Sequence, residues 1–136
     1  MLVVDDEELI RASLARLLWL QGCWVHVAES AAEATALCER HVYDLVVTDI
    51  ELGHGGGNDD VPEGLLFAEQ LLIERPAQRL AFFSAQQQPD VFRHAVMLGH
   101  YLEKGHPSAF ERLKDIIETV QEERAKTTRG DGVHEG

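Results

Sequence analysis

Short apolar runs alternate along this chain with stretches in which apolar residues recur every three to four positions. Leu2 to Val4 reads as the end of a strand. Glu8 to Gln21 then carries Ile10, Leu14, Leu17 and Leu18 at helical spacing, and Gly22 stops it. Trp24 to Glu29, "WVHVAE", predicts a second strand, and Ser30 with Glu33 forms a capping box that opens a helix to about His41. "YDLVVTD", ending at Asp49, is short, apolar and rich in β-branched residues, which suits a strand buried on both faces.

Residues 51–63 hold four glycines and Pro62 among polar residues without periodicity, and so predict a long loop. Gly64 to Arg75 predicts a third helix ended by Pro76, and Arg79 to Phe83 a fourth strand with Ser84 at its exit. "PDVFRHAVML" is a fourth helix with Pro89 in its first turn, and "YLE" a short fifth strand followed by Lys104. Ser108 and Glu111 form a second capping box, ahead of a helix with Phe110, Leu113, Ile117 and Val120 on one face. Residues 125–136 carry no periodic apolar positions and predict a flexible tail.

Strict alternation of strands and amphipathic helices predicts the α/β class: a doubly wound, five-stranded parallel sheet flanked by five helices, joined by right-handed crossovers. At 136 residues the chain has the size of one domain, placed at 1–124. A formal charge of −12 gives no electrostatic footprint for direct nucleic-acid binding. No apolar run approaches the roughly 20 residues of a membrane span, and no signal-type N-terminus is evident, so a soluble cytoplasmic protein is expected. Cys23 and Cys38 lack metal or redox spacing and read as packed thiols.

The chemistry gathers at strand ends. Asp5, Asp6, Asp49, Ser84 and Lys104 each follow a predicted strand, on the edge where open α/β sheets bind ligands. Three carboxylates brought together repel one another unless a cation joins them, and an oxygen-only donor set suits Mg²⁺. A carboxylate beside Mg²⁺ can accept a phosphoryl group, with an ammonium and a hydroxyl to spread the transferred charge.

In these motifs the chain resembles the receiver domains of two-component response regulators. The resemblance rests on "VVDDE", "DLVVTDIEL", "FFSA" and "YLEKG", each in its strand context and in the right order, and it spans roughly residues 2 to 120. It implies the strand order 2-1-3-4-5. It also implies Asp49 as phosphoacceptor and Mg²⁺ held by Asp5, Asp6, Asp49 and the backbone carbonyl of Glu51. Ser84 and Lys104 become phosphate-binding and switch residues, and Tyr101 the aromatic that reports the change. Glu51 and Gln86 fall where family members tune phosphate lifetime. The implied partners are a sensor histidine kinase or phosphorelay protein, a downstream protein or output domain, and a second copy through the face from the fourth to the fifth helix. The implied activity is phosphoryl acceptance with slow self-hydrolysis rather than enzymatic turnover.

Two departures stand out. The loop over residues 51–63 is longer than in the family, and Gly105 follows Lys104 where receivers usually carry a proline in a cis bond. Without proline a cis bond costs about 2.5–4 kcal/mol, so a trans bond is predicted there. These departures leave an alternative open, a degenerate receiver that works as a phosphorylation-independent interaction module.

Overall fold

The computed structural model describes residues 1–52, 61–85 and 88–135, with side chains as far as residue 126. Five strands and five helices alternate: β1 Leu2–Val4, α1 Glu8–Leu20, β2 His26–Ala28, α2 Ala31–Arg40, β3 Val46–Thr48, α3 Glu63–Glu74, β4 Leu80–Ser84, α4 Pro89–Leu98, β5 His100–Glu103 and α5 Ala109–Glu135. The strands form one sheet in the order β2-β1-β3-β4-β5, with every neighbouring pair parallel. This is the doubly wound sheet that the alternation predicts.

Side-chain alternation along the strands divides the core into two layers. Leu2, Val4, Val46, Leu80 and Phe82 face α2, α3 and α4, where Ala34, Leu65, Ala68, Leu71, Val91 and Ala95 meet them. Val3, Val47, Ala81, Phe83 and Leu102 face the opposite way, against Leu14 and Leu18 of α1 and Leu113, Ile117 and Val120 of α5. Both faces of every central strand are covered, which is why these strands read as unbroken apolar runs.

Local signals explain several boundaries. Ser30 Oγ accepts the Glu33 N–H at 3.1 Å and caps α2. At the other end of α2, Arg75 donates to the carbonyl oxygens of Cys38 and His41, tying the end of α3 to otherwise unpaired helix carbonyls. The link into β5 is a single residue: Gly99 lies so close to β4 that a Cβ there would stand 2.4 Å from the Leu80 carbonyl oxygen.

Two expectations are corrected. Phe110 is 42 % exposed, with its ring tilted against Phe83, and Ala109 takes the buried position at the head of α5. Residues 125–135, expected to form a flexible tail, continue α5 to Glu135. The helix is already nucleated by the packing of Leu113, Ile117 and Val120, and polar ties fix its middle to the sheet's lower edge: Gln121 donates to the Gln21 carbonyl, Arg124 pairs with Asp44 and Glu123 with Arg79. Propagation from an anchored helix needs little further stabilisation, and Ala125 and Lys126 are good helix formers. Most of the predicted 51–63 loop, residues 53–60, lies outside the described residues, as does Gln86. Among the described residues no helix is long and apolar enough to cross a membrane.

Candidate functional site

Sheet register builds the site. β1 and β3 run side by side with Val4 opposite Thr48, so the next residue on each strand is an aspartate. The ladder continues past both strand ends: the Asp49 N–H donates to the Val4 carbonyl at 2.9 Å, and the Asp5 N–H to the Ala28 carbonyl at 3.1 Å. The two carboxylates therefore leave the sheet together, with Asp5 fully buried and Asp49 4 % exposed.

After Asp5 the chain turns into α1. Asp5 Oδ1 accepts the Glu7 N–H at 2.9 Å, an Asx-type turn, and the Arg11 guanidinium donates to the Asp5 carbonyl at 2.9 Å. Asp6 is half-buried beside them. Asp49 Oδ1 accepts the Glu51 N–H at 3.3 Å in the same manner. The first turn of α3 presses against this corner. Gly64 donates to the Ile50 carbonyl at 2.8 Å, and a Cβ at Gly64 would lie 2.0 Å from the Asp49 carbonyl oxygen.

Lys104 arrives from β5. Its N–H donates to the Ser84 carbonyl at 2.9 Å, and its Nζ stands 2.9 Å from Asp49 Oδ2, 3.1 Å from Asp5 Oδ2 and 3.1 Å from Glu7 Oε1. The chain then reverses at Gly105, φ +82°, in a turn closed by the His106 N–H to the Glu103 carbonyl at 3.1 Å. Glycine at that position suits a type II turn. Every peptide bond among the described residues is trans, the Lys104–Gly105 bond included.

The electrostatics follow from this packing. Burial raises the Asp5 carboxyl above its ordinary value, opposed by the Glu7 N–H and Lys104 and reinforced by the Asp49 charge. Burial alone would lower Lys104, but the hydrogen bond and charge of Asp49, then the neighbouring Asp5 carboxylate, more than reverse it and hold the ammonium above its ordinary range.

Asp5, Asp6, Glu7 and Asp49 each offer a carboxylate oxygen, all within 4.8 Å of one another, an arrangement able to hold a metal ion. Asp5 Oδ2 supports that fit. It is buried, and although Lys104 pairs with it at 3.1 Å, the alignment leaves it without a hydrogen bond. A buried carboxylate oxygen without a hydrogen bond is costly, and the Lys104 charge offsets that only in part, so the oxygen suits a metal ion or a metal-bound water. The all-oxygen donor set is that of a hard divalent ion such as Mg²⁺.

Ser84 is fully buried at the end of β4. Tyr101 is half-buried on β5, edge-on to Phe92 with ring centroids 4.8 Å apart, and its hydroxyl reaches toward the Ser84 carbonyl at 3.5 Å. The sheet thus collects Asp5, Asp6, Asp49, Ser84, Lys104 and Tyr101 at one edge, while Glu51 is exposed beside it. By position alone Glu7 is an acid just ahead of α1, suited to the positive end of the helix dipole. It is instead a third partner of Lys104 and a member of the acidic cluster, and its signal was adjacency to Asp5 and Asp6.

The sequence matches the response regulator receiver domain family over residues 1–124. It is 31% identical over 130 residues to the alginate biosynthesis transcriptional regulatory protein AlgB of Pseudomonas aeruginosa, an alignment covering 94% of this chain and 27% of AlgB. The chain therefore spans about a quarter of that relative's length. A CheY-like receiver domain protein from Methanospirillum hungatei superposes with a TM-score of 0.75 at 24% identity, covering 92% of this chain and 95% of that one. The Thermotoga maritima response regulator TrrA, solved in complex with Mg²⁺ and BeF, gives 0.72 at 26% identity over 88% of this chain and 96% of its own. With the family spanning nearly all of its residues and the sheet order and acidic edge to match, this chain belongs to the response regulator receiver domains of two-component systems.

Proposed function

We propose that this receiver accepts a phosphoryl group on Asp49, in a Mg²⁺-dependent reaction, from a sensor histidine kinase or phosphorelay protein in the cytoplasm. The observation that carries the reading is the buried Asp5–Asp49 pair with Lys104 Nζ between them, 3.1 and 2.9 Å away.

An Asp49 carboxylate oxygen attacks the phosphorus while the P–N bond to the donor histidine breaks, and that nitrogen leaves with the bonding pair. Asp5, Asp6, Asp49 and the Glu51 carbonyl are the proposed Mg²⁺ ligands. Bound there, Mg²⁺ would neutralise charge on the phosphoryl oxygens. Lys104 is already charged and held at the site, so it needs no reorganisation to pair with the phosphate. Ser84 supplies the hydroxyl donor.

The aspartyl phosphate carries about −1.5 to −2 charge in place of the carboxylate's −1, a net gain of about −0.5 to −1 next to Asp5 and Glu7, which now share Lys104 with it. Drawing Ser84 toward the phosphate alters the carbonyl that faces the Tyr101 hydroxyl. The signal then leaves through Tyr101 to the surface of α4, β5 and α5, where Phe92, Val96 and Met97 are exposed. A second copy or an output partner docks there. Because AlgB is named a transcriptional regulatory protein, the proposed output is transcription, exerted through a partner or output domain. Glu51 and Gln86 set how long the phosphate survives.

Intact mass after incubation with Mg²⁺ and acetyl phosphate tests the reading. One phosphoryl mass is expected on the wild type and none on Asp49→Ala. An adduct that persists in Asp49→Ala relocates the acceptor. No adduct on the wild type, together with no Mg²⁺ binding, returns the chain to a phosphorylation-independent interaction module.

A further inference from the structure

Two histidines at the opposite, β2 side of the molecule are unused by the phosphorylation chemistry. His26 stands on β2 and His41 at the C-terminal cap of α2, both exposed, with ring centroids 4.8 Å apart and ring planes at 58°. His26 Nδ1 lies 2.7 Å from the hydroxyl of buried Tyr43. Among the described residues, His26 Nε2 and both ring nitrogens of His41 make no hydrogen bond or ion pair. Burial raises the Tyr43 phenol above its ordinary value, so it stays neutral, and its hydroxyl accepts a hydrogen bond from His26 Nδ1–H or donates one to Nδ1 according to the imidazole tautomer.

We propose that His26 and His41 form a second, independent metal site, for a borderline divalent ion such as Zn²⁺ rather than for Mg²⁺. Ring spacing is the first argument. A nitrogen bound about 2.0–2.1 Å from zinc puts its ring centroid roughly 3.2 Å from the metal, so two coordinated imidazoles have centroids about 4.5 Å apart at a right angle and about 5.2 Å apart at the tetrahedral angle. The observed 4.8 Å falls between these limits.

The second argument is orientation. A metal-bound histidine characteristically donates its other ring N–H to a fixed acceptor, which holds the ring and leaves one nitrogen for the metal. The Tyr43 hydroxyl, 2.7 Å from His26 Nδ1, takes that place in the tautomer protonated at Nδ1, which is the one that leaves Nε2 for a metal. Tyr43 is itself held, its carbonyl accepting from Gln78 at 3.0 Å, and the backbone of His41 is held by Arg75 at 3.0 Å. Two protein ligands leave the remaining positions to water, so the expected affinity is micromolar.

The test is a Zn²⁺ titration of the whole chain in excess Mg²⁺, which keeps the acidic cluster occupied by the ion its oxygens suit, read by ring-nitrogen NMR shifts of the histidines. The expected result is one Zn²⁺ equivalent that moves the His26 Nε2 and His41 resonances, with at least a tenfold loss of affinity in His26→Gln and, separately, in His41→Gln. His94→Gln serves as control, since His94 Nε2 is taken by Glu69 at 2.6 Å, and should bind as the wild type does. His41→Gln keeps the backbone bonds of the α2 cap, so it remains informative even if His26→Gln weakens the fold. Unmoved His26 and His41 signals at a hundredfold Zn²⁺ excess, or full affinity in His41→Gln, would overturn the proposal.

Discussion

Replacing Gly64 by alanine adds one methyl group at the most crowded backbone contact of the site. The new Cβ would stand 2.0 Å from the Asp49 carbonyl oxygen, 2.5 Å from that of Ile50 and 2.7 Å from the Ile50 Cα. All three are backbone atoms, so no side chain can rotate out of the way. Either α3 lifts or the Asp49–Ile50 backbone shifts. Overpacking of this kind costs about 1–3 kcal/mol. Parting the 2.8 Å Gly64–Ile50 hydrogen bond adds about 1–3 kcal/mol for a polar group left unpaired. Alanine returns about 1 kcal/mol through its better helix propensity.

The net loss is then roughly 1–5 kcal/mol, which at about 4 °C per kcal/mol for a domain of this size lowers the melting temperature by about 4–20 °C. Thermal unfolding followed by circular dichroism, with and without Mg²⁺, measures it. The added stabilisation by Mg²⁺ should also shrink, since the displaced backbone carries Asp49. A Gly64→Ala variant that melts at or above the wild-type temperature would refute the reasoning.

Asp5 gives a pH-dependent prediction. Its folded carboxyl titrates above the ordinary 3.8, so folding favours the protonated form, a benefit complete below that pH and lost as pH rises through the folded value. Asp5→Asn should therefore raise the melting temperature at pH 7 in EDTA, by an amount that fades toward pH 4, while weakening Mg²⁺-induced stabilisation; a lower melting point at pH 7 in EDTA would contradict this. Cys23 and Cys38 are buried, and burial raises both thiols above the ordinary 9.0. Both should react with a disulfide reagent only at the rate of unfolding, and stability should fall as pH rises past about 9, where unfolded thiols ionise first. Fast labelling of the native protein at pH 8 would count against that packing.

The site was largely legible because its residues sit at the ends of strands with a clear apolar signature. Asp5, Asp49, Ser84 and Lys104 needed only the parallel topology to be brought together. Glu7 escaped because its role depends on the reach of a side chain 97 residues distant in sequence, which no local pattern encodes. Phe110 was misplaced for a related reason. Periodicity marks an apolar face but not its limits, and a shift of one residue put Ala109 inward. The extension of α5 was hidden because polar ties to Asp44, Arg79 and Gln21, not an apolar stripe, hold the helix where it leaves the sheet. His26, His41 and Tyr43 look like scattered polar residues until β2 and the end of α2 are placed side by side.

The hydrogen-bond ladder that runs past β1 and β3 into Asp5 and Asp49 has a consequence for how this receiver fails. Many functional loops open and close by local unfolding at little cost to the rest of the molecule. Here the Asp5 amide is bonded to β2 and the Asp49 amide to β1, so releasing them means parting the β1–β2 and β1–β3 pairs where those strands end. The backbone of the acceptor edge is thereby part of the same hydrogen-bond ladder as the core. Damage anywhere in that core is felt as lost signalling capacity in proportion to the unfolded fraction, and the surviving folded molecules keep an intact site.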